Sequence, residues 1–142
     1  GLHDELQAIA QEVLPKLEAR HIACHMEIDP RLASMPAGVI GSVVRHGMNR
    51  ALHACDAEGR SHRRIDVSVE LNAGAEIEVF IADTGAIIAE GSEDLNDSLE
   101  WLERCDQLVH SMGGTVSLVR APFDRGSVFR LRLPLTGWSE DV

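Results

Sequence analysis

The chain has 142 residues, which suits one domain built on one core. Hydrophobic residues make up 44% and charged residues 25%, the composition of a folded chain rather than a disordered one. The formal charge of −10 argues against nucleic acid or an acidic membrane as a partner, because such surfaces need clustered Lys and Arg and the best basic run is Arg60-Ser-His-Arg-Arg64.

No run of about 20 apolar residues is present, and no apolar leader opens the sequence, so the expected location is cytoplasmic, as a free domain or as the cytoplasmic part of a membrane sensor, without direct membrane contact. Cys24, Cys55 and Cys105 form no Cys-x-x-Cys pair and read as small core residues.

Residues 2–20 carry Leu6, Ile9, Val13 and Leu17 at helical spacing, with Pro15 predicting a kink or break. Residues 21–29 alternate, with Ile22, Cys24, Met26 and Ile28 on one face and His21, Ala23, His25 and Glu27 on the other, as in a half-buried strand. That alternation parts Cys24 from His21 and His25 and argues against a metal held by all three. From Pro36 to about Cys55, an apolar stripe through Val39, Ile40, Val43, Val44, Met48 and Leu52 predicts a second helix. Residues 56–62 read as a loop. Ile65–Leu71 and Glu76–Ala82 alternate as strands around a turn at residues 72–74. Residues 83–97 show no period and read as a loop. A third helix is predicted over 98–112, ended by Gly113-Gly114, and two further strands over 115–120 and 127–133. The order predicts an α/β two-layer sandwich: a mixed, mostly antiparallel sheet of about five strands with three helices on one face. The expected divisions are a lead-in over 1–20, the main domain over 21–135 and a tail over 136–142.

Three segments carry the chemistry. Arg45, Asn49 and His53 are four apart on the second helix and share one face beside the apolar stripe. Such a face lines a cleft or is a solvated flank. The strand ending in Ala82-Asp83-Thr84-Gly85 places a carboxylate where it can accept a hydrogen bond from an exocyclic amine, with a glycine that lets backbone approach a ligand; a plain turn has the same composition. The third is Gly113-Gly-Thr-Val, followed by Arg125-Gly-Ser-Val-Phe-Arg-Leu-Arg-Leu-Pro-Leu135.

In this order the three resemble the catalytic, ATP-binding domain of bacterial sensor histidine kinases, over about residues 14–135. "HGMNRALHA" is similar to the family's Asn-bearing helix, NALKHA, which implies Asn49 as a magnesium ligand, with His53 beside it in the nucleotide site. "IADTGA" is similar to the D-x-G-x-G loop, which implies Asp83 as the acceptor for the adenine amine and Gly85 as its companion. "MGGTVSLVRAPFDRGSVFRLRLPL" is similar to the closing HGGTI…GxGSxFxFxLPL segment. ATP and Mg2+ are the implied cofactors. The implied partners are a phosphoacceptor-His domain, a response regulator, or a second copy joined through a separate domain.

The sequence also departs from that pattern. Arg45 stands where the family has a Glu or Asn, and an arginine cannot act as a base. Ile87 replaces the second glycine of D-x-G-x-G. Leu-Glu-Trp-Leu at 99–102 falls where a phosphate-binding Gly-x-Gly-Leu is expected, so Trp101 would fill that space and Glu100 would repel phosphate. The loop before it carries Glu90, Glu93, Asp94 and Asp97 and no Lys or Arg. These departures predict a docking or regulatory module with weak or no nucleotide binding. The alternative is a working histidine protein kinase domain that holds Mg-ATP through Asn49 and Asp83. An anti-sigma-type serine kinase would need the same missing glycines.

Overall fold

The computed structural model describes residues 1–56, 63–85, 93–120 and 126–135, leaving aside the side chains of residues 56, 93–98 and 120. The loop at 57–62, Ile87 and Glu90, the turn at 121–125 and the tail from 136 lie outside the described residues.

The elements run α1 (Leu2–Ala19), β1 (Ile22–Ile28), a 3-10 turn (Pro30–Leu32), α2 (Gly38–Asp56), β2 (Arg63–Leu71), β3 (Glu76–Asp83), α3 (Glu93–His110), β4 (Thr115–Arg120) and β5 (Ser127–Pro134). The strands form one sheet in the order β1-β2-β3-β5-β4. β1 pairs parallel with β2, and the other pairings are antiparallel. The parallel pair follows from α2, which carries the chain from the end of β1 back to the start of β2.

One face of the sheet is apolar: Ile65, Val67 and Val69 on β2, Ile77, Val79 and Ile81 on β3, Phe129, Leu131 and Leu133 on β5. Strand alternation puts these on the same side. The helices cover them with Leu2, Leu6, Ile9, Val13 and Leu17 from α1, Ile40, Val43, Val44, Met48 and Leu52 from α2, and Cys105 and Val109 from α3. The other face carries charged and polar groups, among them Glu78, which accepts from Asn72 Nδ2 at 2.8 Å, Arg130 at 2.9 Å and Arg132 at 3.3 Å. These donors, Asn72 first, hold the Glu78 carboxyl below its ordinary range. The result is the expected two-layer α/β sandwich, with five strands and three helices. Among the described residues, no helix is long and apolar enough to cross a membrane.

Three local expectations need correction. Cys24, read as a small core residue, is exposed on β1, which lies at the edge of the sheet. The helix over 2–19 runs unbroken through Pro15. Pro15 and Gln11 are both exposed, so the carbonyl that loses its helical partner faces water. α3 starts at Glu93, five residues before the predicted start, because Glu93 and Asp94 suit the positive end of a helix dipole as well as they suit a loop. Its C-terminus ends as expected: Gly113 is left-handed at φ +76, and Gly114 N–H reaches Val109 O at 2.9 Å.

The β2–β3 hairpin turns on Asn72, whose Oδ1 accepts from Gly74 N at 2.9 Å and Glu76 N at 3.0 Å. The left-handed position in this turn is taken by Ala75, at φ +58. Replacing Ala75 with glycine removes the Cβ clash, and the Ala75→Gly chain is expected to gain about 0.5–1 kcal/mol. Urea unfolding reads this as a higher midpoint at unchanged slope; a lower midpoint would mean that the entropy cost of glycine outweighs the relief.

Candidate functional site

The site is built at the end of β3. Asp83 closes the strand opposite Ile65 of β2 and Ser127 of β5. Its side chain is 1% exposed. A carboxylate so deep must have partners, and among the described residues three reach it. Gly85 N–H donates to Oδ1 at 2.9 Å, the Ser127 backbone N–H donates to the carboxylate, and Arg50 Nη2 donates to Oδ2 at 3.1 Å. Burial pushes the Asp83 carboxyl above its ordinary range, against the opposing pull of Arg50 and the two amides. The neighbouring Cys55 thiol is raised to about 11, by burial first and then by Asp83, and so stays protonated near neutral pH.

Arg50 reaches Asp83 from α2 and is itself only 12% exposed. It lies on the same helix line as Gly47, three residues before it, and Ala54, four after. Both neighbours are small and buried, and they let the helix sit close to the sheet. A β-carbon on Gly85 would lie 2.5 Å from the Ala54 carbonyl carbon and 2.7 Å from Cys55 N. Gly85 is thus required by the close pass of β3's exit under the last turn of α2.

The expected polar face of α2 is placed differently. Arg45 turns to α1, donating to Glu5 at 2.9 Å and also to Glu12. Asn49 and His53 are exposed. The residue of α2 that meets Asp83 is therefore Arg50, one position beyond Asn49 and about 100° further around the helix. Sequence reading missed it because an arginine in an amphipathic helix reads as surface. The available signal was its position midway between two small residues.

Trp101 of α3 stands against the same helix. Its ring packs on Phe129 at a centroid distance of 4.7 Å and a 49° tilt. Its Cζ2 lies 3.8 Å from where a β-carbon on Gly47 would be. Its Nε1 is buried and has no hydrogen-bond partner among the described residues. Leu99 and Glu100 are exposed. Residues 99–102 lie well inside α3 rather than at its start, so their amides are committed to the helix. Among the described residues no group of three His, Cys, Asp or Glu side chains could hold a metal ion. An open cavity of about 520 Å³ lies at the far end of β1 and β2, lined by Glu27, Asp29 and Glu70, a setting that repels anions.

The sequence matches no protein-family model and no curated protein. Solved structures do match. The blue-light activated histidine kinase EL346 of Erythrobacter litoralis is 22% identical, with a TM-score of 0.72 over 95% of this chain. The catalytic domain of histidine kinase ThkA, in a nucleotide-free form, is 16% identical, with a TM-score of 0.69 over 94% of this chain. The fold is that of a histidine-kinase catalytic domain. The full-length kinase ShkA in complex with AMPPNP is also similar, at 17% identity and a TM-score of 0.70. This chain spans 93% of the ThkA domain but only 42% of the light-activated kinase and 30% of ShkA.

Proposed function

We propose that this domain is a docking or regulatory module of two-component phosphotransfer signalling, which keeps the histidine-kinase fold without using ATP. The observation that carries this reading is an Asp83 carboxylate already held by three donors, the Arg50 guanidinium among them. If Asp83 is the adenine acceptor that the resemblance implies, the guanidinium of Arg50 already occupies one of its two oxygens, Oδ2. Elsewhere too, the described residues do not fit the nucleotide. Trp101 packs into the space beside Gly47 and Phe129, and the amides of 99–102 are helical. Nor do they gather ligands for Mg2+: among the described residues no group of three His, Cys, Asp or Glu could hold a metal ion, and the cation one turn before Asn49, Arg45, is tied to α1. Partners of the module would be a phosphoacceptor-His domain or a response regulator, bound through surfaces that need no phosphate contacts.

Calorimetry with Mg-ATP, ADP and adenosine is the test. The expected result is no saturable heat for any of them at about 1 mM ligand. Micromolar binding of Mg-ATP, clearly tighter than adenosine, would restore the kinase reading and with it the roles of Asn49, His53, Asp83 and Gly85 as nucleotide contacts.

A further inference from the structure

We propose that Arg50 is a built-in occupant of a small-molecule site: its guanidinium replaces a diffusible planar N–H donor at Asp83 and holds the last turns of α2 against the end of β3. This rests on the reading that the site is not used by nucleotide.

Three observations support it. The acceptor is preorganised without Arg50, because the Asp83 carboxylate is fixed by backbone donors, Gly85 N–H on Oδ1 and the Ser127 N–H, and Oδ2 is presented to whatever comes from α2. The donor arrives on a side chain only 12% exposed, unlike that of an ordinary surface ion pair. The surroundings are aromatic as well, with the Trp101 ring tilted 49° against Phe129 and close to Gly47, one helical turn before Arg50. The pair also reinforces the close packing of Gly85 on Ala54 and Cys55, beside a hydrogen bond between the Cys55 thiol and the Thr84 backbone. Arg50 thus does from inside the chain what a bound ligand does from solution: it ties two elements together through one buried carboxylate. The domain would then hold its closed arrangement of α2 and β3 permanently, independent of any ligand concentration.

Shortening Arg50 should reopen the site to a ligand of the same chemistry, a planar group with N–H donors. The experiment compares amide hydrogen exchange at Cys55, Thr84 and Gly85 in the 142-residue chain and in Arg50→Ala, with methylguanidinium as the probe. Exchange in the variant is expected to rise by about tenfold or more at these amides, and about 10 mM methylguanidinium should return most of the protection. Methylammonium, which lacks the planar fork, should not. The double variant Arg50→Ala, Asp83→Asn should ignore both. Unchanged exchange in Arg50→Ala, or equal recovery with either cation, would overturn the proposal. If Arg50→Ala does not fold by itself, refolding in methylguanidinium against methylammonium decides the same point: recovery with the first alone supports it, and recovery with both or neither overturns it. Wild-type binding of Mg-ATP would remove the functional reading beneath. A wild-type chain indifferent to nucleotide, with a variant indifferent to methylguanidinium, would remove the occupant alone.

Discussion

Arg50→Ala is expected to cost about 3–5 kcal/mol near neutral pH, the range found when one member of a buried ion pair is removed. Against a total stability of about 5–15 kcal/mol for a domain, that is a large fraction. The cost arises because Asp83, 1% exposed, is left charged with only two backbone donors. Its sign with pH follows from the same burial. The Asp83 carboxyl already stands above its ordinary range, and Arg50 is the largest influence pulling it down. Removing Arg50 raises it further. A carboxyl raised in the folded state disfavours folding above its folded pKa, and that penalty disappears as pH falls and the group protonates in both states. The deficit of Arg50→Ala relative to wild type is therefore fullest above the variant's folded-state pKa and shrinks as pH falls towards the wild-type folded-state pKa, the unfolded state being common to both. Urea midpoints measured for both chains across this range read it directly. A deficit that stays constant with pH would mean that lost packing of the arginine stem, not the stranded carboxylate, is the cause.

Gly126→Ala is expected to cost at least about 3 kcal/mol, the upper end for a point substitution. Gly126 leads into β5 at φ +107, a conformation that L side chains rarely adopt. A β-carbon there would lie 1.8 Å from the Asp83 carbonyl oxygen and 2.8 Å from the Thr84 Cα. Both are backbone atoms, so no rotamer change relieves the contact, and β5 must move away from β3. That movement also takes the Ser127 N–H from the Asp83 carboxylate, so the Arg50–Asp83 site loosens along with the sheet. Gly74→Ala is the control. Its β-carbon would meet nothing nearer than Asn72 Oδ1 at 3.4 Å, and it lies in an exposed turn, so its cost should stay below about 1 kcal/mol. Thermal unfolding of the two variants side by side is decisive: similar midpoints would mean that the close pass of Gly126 over Asp83 is easily relaxed.

The amino-acid sequence by itself determined the elements and the two-layer architecture, because hydrophobic period is a local property: Leu6, Ile9, Val13 and Leu17 mark a helix face, and Ile77, Val79 and Ile81 a strand face, without reference to any partner. It also located Asp83 and Gly85, since a strand ending in Asp-x-Gly is visible as a string. Local pattern could not place the start of α3, where acidic residues suit a loop and a helix N-terminus equally. Nor could it show which side chain of α2 enters the site. Asn49 and Arg50 are neighbours in sequence and differ by about 100° of helix rotation, and both are polar. That rotation is decided by how closely α2 can approach β3, through Gly47 against Ile81 and Ala54 against Gly85. The same packing removes water from the guanidinium, and only then does an arginine that reads as surface become the buried partner of Asp83. The pairing of Arg45 with Glu5 and Glu12 is tertiary for the same reason: 33 to 40 residues separate the partners, and only the stacking of α1 on α2 brings them together.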